Sequence, residues 1–324
     1  MEKLITVGFS PHRIETLYFA KNLMKEHDII ILEEPYNENF YAFLEDKISL
    51  EKYLETNDFW FPEFVKIASL ILKNFYKQGK KIFQIEPYLE RVLLIQSKLA
   101  KKENLEELLK DPELKEVYQV EHKAVGRLLE FYEISLKEDF LEIVSAVKIF
   151  SKADAERFRL RDKLRAKAIL KILPEKGKIY IEAGTIHIYF KKLLHIYAGK
   201  SWKIVHKFLL EDYLRPITGK PWIFPPGELL TLRYILKRKE NSQIENLLAA
   251  RSLIYIKIIP KEELMPSPKD PFPHAKRELK AIQMVNMLSF EDCAKLYKEI
   301  FFIKKPDKAQ KIVEDFLRAK GLSF

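Results

Sequence analysis

Cysteine occurs once in the 324 residues, at Cys293, and glycine only nine times. A single cysteine excludes an intrachain disulfide and any cysteine-built zinc cluster, and it argues against thiol catalysis. A chain without such staples suits a reducing compartment, so a cytoplasmic location is the expectation. Long hydrophobic runs are missing as well. No uninterrupted apolar stretch approaches the ~18 residues that span a bilayer. The opening "MEKLITVGFSPH" enters a short apolar strand directly, without the h-region of a signal peptide. No membrane insertion is expected. Nor is there a dense basic block. Lys and Arg outnumber Asp and Glu by 57 to 47, a formal net charge of +10, which favours anionic partners electrostatically. The two signs are nevertheless intermixed along solvated helix faces, which disfavours nucleic acid as a partner. Scarce Gly and Cys beside abundant Lys, Glu and Ile give the chain a thermophile-like composition.

What is present is an ordinary globular core, with 47% hydrophobic residues. Short β-rich runs alternate with helical periodicity. "KLITVG" (3–8), "DIIILEEP" (28–35), "KKIFQIEP" (80–87) and "GKIYIEAG" (177–184) read as strands, and "SWKIVHKF" (201–208) as a fifth. Helical patterns fill 13–27, 38–78 and 186–198 between and after them. Strands separated by helices need crossover connections, so the prediction is an α/β fold: a mostly parallel sheet with helices on both faces. The charged helical stretch at about 88–155 reads as an insertion into a domain covering 1–208. Residues 209–324 change character, with Pro-rich loops, and are predicted to form a mainly helical C-terminal region with one strand, "RSLIYIKII" (251–259).

In an open parallel sheet, ligands bind beyond the carboxyl ends of the strands. Polar groups gather there in this sequence. The first strand ends in Gly8, with His12 just beyond; the second ends in Glu33 and Glu34; the third in Glu86. The fourth carries Glu182 and Gly184, then His187. Glu182 inside an otherwise apolar strand costs free energy unless something pairs with it. Imidazole with carboxylate is a sound ligand shell for a divalent metal such as zinc, manganese or cobalt, which would lower the pKa of a bound water. A metal-free site could instead use a His or Glu as general base for water attack on a carbonyl. Arg161 joins this set from "RDKLRAKAILKIL". Leu164, Ala168 and Ile172 follow it at 3, 7 and 11 positions, so the guanidinium shares the apolar face of its helix and needs an anionic partner, either Glu182, Glu33 or a bound substrate.

These motifs resemble the TraB/Tiki superfamily, distantly similar to the erythromycin esterases and the ChaN-type haem-binding proteins. The family shows two strand-terminal Gly-x-x-His motifs, a glutamate ending the second strand, and an arginine-bearing helix before the second motif. "GTIH" (184–187) fits that second motif, residues 161–194 follow the run from arginine helix to strand to histidine, and Glu33 in "DIIILEE" falls at the glutamate. The first motif departs, since "GFSPH" is one residue longer, and Glu182 stands where the family has an apolar residue more often.

The resemblance implies a metal-dependent hydrolase of a peptide or ester bond acting on a peptide or small-molecule substrate. His12, Glu33 and His187 would be the metal ligands, Glu33, Arg161 and His187 the catalytic set, and Glu86 and Glu182 their supports. The ChaN-type relatives imply an alternative, a non-catalytic module for haem or another anionic ligand with histidines as axial ligands.

Overall fold

The computed structural model describes residues 3–56, 59–136 and 139–322. The remaining positions, which fall within the predicted helical runs and domains, lie outside the described residues. The chain divides into two compact units, neither of them one continuous segment.

The first unit (1–118, 159–222 and 263–271) contains the sheet. Strands β1 (Lys3–Ser10), β2 (Ile29–Leu32), β3 (Lys81–Gln84), β4 (Gly177–Gly184) and β5 (Lys203–Phe208) pair in the order β3-β2-β4-β1-β5, every pair parallel. The predicted parallel α/β architecture is therefore present. The β4 strand, late in sequence, enters between β2 and β1, so the carboxyl ends of three strands with polar termini become neighbours. Register sets this closely: Gly8 lies opposite Glu182 and Ser10 opposite Gly184.

The pleat then divides the core. Ile30, Leu32, Ile82 and Tyr180 turn to one face, where they pack with Ala20 and Met24 of α1 (Leu17–Lys25), Phe40 and Phe43 of α2 (Glu38–Leu44), Tyr53 of α3 (Leu50–Glu55), and Leu72 and Phe75 of α4 (Pro62–Lys77). Their neighbours Ile29, Ile31, Ile179 and Ile181 must point to the opposite face, and all are buried too. Burial on both faces explains why these strands read as unbroken apolar runs. Proline starts several of the helices that follow. Pro62 opens α4 and Pro87 opens α5 (Pro87–Ala100), where the missing N–H costs no helical hydrogen bond. Short α6 (Leu105–Leu108) and long α7 (Pro112–Ser135) and α8 (Phe140–Ile172) follow, and α9 (Ile188–Ala198) and α10 (Glu211–Thr218) flank β5 in sequence.

The second unit (119–158, 223–262 and 272–324) is helical. It corrects two expectations. Residues 251–259 form no strand: they lie in and just beyond α12 (Ser242–Ile258), which follows α11 (Pro226–Ile235). Leu253, Ile254 and Ile258 are buried against Met284 and Val285 of α13 (Pro273–Asn286), Leu296 of α14 (Phe290–Ile300), and Val313 and Leu317 of α15 (Pro306–Ala319). A helix surrounded on most sides loses its amphipathic period, so an apolar β-branched run in it looks like a strand. The predicted boundary at 208 and the predicted insertion are also replaced. Phe140, Ile143, Val144 and Val147 of α8 pack into this helical core, so part of the supposed insertion belongs to the second unit. Residues 209–222 and 263–271 belong to the first.

Gly8 carries a fold-level prediction. A Cβ there would collide with the ring and hydroxyl of Tyr180 on the adjacent strand, whose side chain is fully buried. Gly8→Ala is expected to destabilise the protein by about 1–3 kcal/mol, as overpacking does. Thermal or denaturant unfolding checks it, and an unchanged midpoint would show that Tyr180 moves aside freely.

Candidate functional site

Glu33 sits one residue past β2 with its side chain only 6% exposed. Four groups meet its two oxygens. Oε2 accepts from the Gly184 backbone N–H at 2.5 Å and lies 3.5 Å from Arg165 Nη1. Oε1 lies 2.7 Å from His187 Nε2 and accepts from Arg161 Nη2 at 3.4 Å. Each partner is held in turn. The Nδ1 of His187 bonds to Asp162, Arg161 also donates to Glu86 at 3.3 Å, and Glu86 is fully buried. Arg165 donates to the carbonyls of Ile85 at 3.0 Å and Glu182 at 2.6 Å, with its guanidinium over the Phe190 ring.

Counted at their formal charges, the groups of this cluster can cancel. Glu33, Glu86 and Asp162 bring three negative charges, while Arg161 and Arg165 bring two positive ones; a protonated His187 makes the sum zero. The electrostatics agree. Burial disfavours the imidazolium, but Glu33 and Asp162 on its two nitrogens outweigh that and push the pKa of His187 up to about 9. Burial likewise disfavours ionised Glu33, and His187, Arg165 and Arg161 together hold its carboxyl well below the usual range. With a carboxylate on each side, both ring nitrogens act as donors.

The sequence builds this cluster locally. Arg161, Asp162 and Arg165 come from one helical turn of α8, and Arg161 and Arg165, four apart, share a face. On β4, Gly184 lies close to three side chains. A Cβ there would lie 3.3 Å from His187 Cδ2, 3.6 Å from Glu33 Oε2 and 3.6 Å from His12 Cε1. Three sequence-predicted residues thus converge on one glycine. The Gly-x-x-His turn closes through His187 N–H to Gly184 C=O at 3.0 Å, which places His187 at the start of α9.

Glu182 faces elsewhere. Its side chain lines a narrow cleft of about 30 Å³, together with Glu34, Ser10 and Thr16 and apolar residues of α1 and α4. His12 borders this cleft. Its Nε2 stands 3.6 Å from Glu182 Oε1, its ring meets Phe64 edge-on, and its side chain is 35% exposed. The backbone of His12 is left-handed, with φ 51°, and its N–H donates to Ser10 Oγ at 3.0 Å. Such a conformation costs a non-glycine residue about 1–3 kcal/mol, and strain of this kind concentrates at functional sites. Glu34, held by Gln84 Nε2 at 2.8 Å, has its pKa raised, by burial first and then by the Glu182 charge.

The donor set does not fit the expected metal ligands or an axial haem pair. Both nitrogens of His187 are taken by carboxylates, Glu33 is covered by two guanidiniums and a backbone N–H, and His12 turns to Glu182. The two buried carboxylate oxygens without hydrogen-bond partners, Glu86 Oε1 and Asp162 Oδ2, belong to groups that already face Arg161 and His187. Among the described residues no group of three or more His, Cys, Asp or Glu side chains is arranged around a common cation position.

Of the predicted residues, Glu33, Glu86, Arg161 and His187 come together in the buried network, and His12 and Glu182 at the cleft. Sequence reading missed Asp162 and Arg165, whose only signal was their place one and four positions after Arg161. It also passed over the role of Glu34, hidden beside Glu33 at the same strand end.

The chain is 33% identical over 291 residues to an uncharacterized protein of Archaeoglobus fulgidus, covering 90% of this chain and 97% of the relative. It belongs to the same protein family as that archaeal protein. No known family profile matches it, and no solved structure does. Among the described residues no helix is long and apolar enough to cross a membrane.

The buried histidine generates a stability prediction. A pKa raised on folding stabilises fully below the unfolded value near 6.5, and that contribution disappears as pH rises through about 9. His187→Gln should therefore cost about 3–5 kcal/mol at pH 6, as breaking a buried ion pair does. The gap from the native protein should narrow between pH 7 and 10. Unfolding free energies measured across that range check it, and a gap independent of pH would mean His187 is neutral in the folded state.

Proposed function

We propose that the protein is a hydrolase of an ester or peptide bond whose chemistry runs on Glu182, His12 and Glu34 without a metal. The observation that supports it best is a narrow cleft lined by two carboxylates and bordered by a strained histidine. The two carboxylates differ in setting. Glu182 faces an imidazole, whereas burial and the Glu182 charge favour the protonated form of Glu34. A carboxyl group whose protonated form is favoured in this way can serve as a general acid beside a histidine base.

In this reading Glu182 orients His12, which takes a proton from water as the oxygen attacks the acyl carbon. The bond to the leaving group then breaks, and Glu34 supplies its proton. The leaving group departs neutral, and transfer of the His12 proton through solvent to Glu34 restores the site. The network of Glu33, His187, Asp162, Arg161 and Arg165 holds the strand ends rigid, with Arg165 on the Glu182 carbonyl and Glu33 on Gly184. His187, Glu33 and Arg161 thus serve as positioning residues, where the sequence had suggested metal ligation and direct catalysis. The likeness to the TraB/Tiki superfamily and its esterase relatives agrees with the reaction class. A peptide or small molecule in the cytoplasm remains the substrate this reading favours.

The test is hydrolysis of a panel of esters, lactones and short peptides, each with and without a strong chelator. Turnover should survive chelation and fall by about 10²–10⁴-fold in Glu182→Gln and His12→Ala. In Glu34→Gln, kcat should fall and the alkaline limb of the pH profile should flatten, because the group whose deprotonation shapes that limb is gone. Activity abolished by chelator, or no turnover anywhere in the panel, would overturn the proposal.

A further inference from the structure

The positive surplus of the chain is concentrated in one stretch. Residues 159–220 carry 15 Lys and Arg against 5 Asp and Glu, which accounts for the whole net charge of +10 and leaves the rest of the chain neutral. Arg161, Arg165, Asp162 and Glu182 are committed to the buried network and the cleft, and they cancel in that count. The intermixing of signs that disfavours nucleic acid over the chain as a whole therefore does not hold here.

The fold gathers these cations on one face of the first unit. The second half of α8 lies beside α9, since the Arg159 guanidinium stands over the Tyr189 ring at 4.8 Å and that of Arg165 over Phe190 at 5.1 Å. In turn α9 meets β5, where Lys191 Nζ donates to His206 Nε2 at 3.0 Å. His206 shares a side of β5 with Phe208, which stacks on Phe9, whereas Gly8, one residue before Phe9, faces Tyr180 and the core beneath α1 to α4. So α9 covers the side of the sheet away from the cleft. Lys167 and Lys171 of α8 and Lys192 and His195 of α9 are exposed there. Among the described residues no carboxylate comes within ion-pair distance of Lys167, Lys171, Lys191 or Lys192, in contrast to Lys163, which pairs with Glu116 at 3.6 Å. The partner of Lys191 is itself a base: burial and then the Lys191 charge lower the pKa of His206, which stays a neutral acceptor.

We propose that this α8–α9 face binds the phosphate backbone of a duplex nucleic acid without reading its sequence. Lys167 and Lys171 stand ~6 Å apart along their helix, and the α9 lysines form a second row ~8–10 Å to the side, an array suited to regularly repeating phosphates. Protein partners are disfavoured, because the centres of protein interfaces are depleted in lysine while nucleic-acid interfaces are strongly positive. A single strand is disfavoured too. Its bases stack on exposed aromatic rings, and Ile196 is the one large apolar side chain exposed among the described residues of this face. Base readout lacks its usual donors. Residues 159–172, 188–198 and 203–208 contain no Asn or Gln, and Arg159, Arg161 and Arg165 are engaged with rings or carboxylates.

The test is fluorescence anisotropy of the full chain with labelled DNA and RNA duplexes of about 20 base pairs, over a range of salt concentrations. Four lysines on phosphates predict a log–log salt slope of roughly −3.5, so affinity should fall about 100-fold between about 50 and 200 mM salt. Combining Lys167→Gln, Lys171→Gln and Lys192→Gln should flatten the slope to about −1 and weaken binding at low salt at least about tenfold. Lys304→Gln, Lys308→Gln and Lys311→Gln together, an equal loss of charge from exposed positions of the second unit, should leave slope and affinity unchanged. No saturable binding of either duplex at low salt overturns the proposal. Equal losses in the two triple variants overturn it as well, since binding would then follow net charge and not this face. Displacement of the duplex by poly-glutamate of matched charge as readily as by unlabelled duplex would reject nucleic acid in favour of an acidic protein.

Discussion

A carboxylate buried beyond the second strand is the constraint on which this structure turns. Glu33 has little access to water that could solvate its charge, so its stability depends on partners drawn from three separate stretches of chain. Removing water from such a charge costs several kcal/mol even in a real protein interior, and only well-placed cations and N–H groups offset that. Arg161 and Arg165 come from a helix, His187 from a strand-to-helix turn, and the Gly184 N–H from the strand itself. Because each is committed to Glu33, their elements cannot shift independently. The requirement to neutralise one carboxylate thus fixes how α8, β2, β4 and α9 meet.

That commitment also separates two layers of polar groups that lie near each other. Below, the charges cancel and every cation is engaged. Above, Glu182, Glu34 and His12 face a narrow cleft, with a backbone strained at His12. Gly184 marks the join between them, since His187, Glu33 and His12 all lie within van der Waals distance of the position its Cβ would take. A buried network in which each charge faces an opposite one suits rigidity better than chemistry, whereas a partly exposed set of carboxyl groups beside an imidazole suits proton transfer.

Much of the sheet was legible in the sequence because its strands are buried on both faces and therefore continuous in hydrophobicity. The demand of Arg161 for an anion was legible too, from its place on an apolar helical face, and Glu33 was among the partners named for it; Glu86 completes the pairing. Glu182, puzzling in an apolar strand, is explained by a cleft that no local pattern announces. Asp162 and Arg165 were invisible for a related reason: charged residues within a charged helix look solvated until the tertiary structure shows which of them turn inward. The failure at α12 has the opposite cause. Leu253, Ile254 and Ile258 are so thoroughly enclosed that helical periodicity vanishes. A helical C-terminal region was expected from 209 onward, but the true bounds of the two units were hidden because their segments are interleaved along the chain, and composition changes only along sequence.

The protonation state of His187 tests the account most directly, because charge balance, rigidity and the unsuitability of this residue as a metal ligand all depend on it. It can be measured from the ¹⁵N chemical shifts of the His187 ring at pH 7.5 in chelator-treated protein. The account predicts two protonated nitrogens, the imidazolium signature, persisting until the pH approaches about 9. A neutral tautomer at pH 7.5, with one bare nitrogen, would contradict it and make His187 available as a ligand or base.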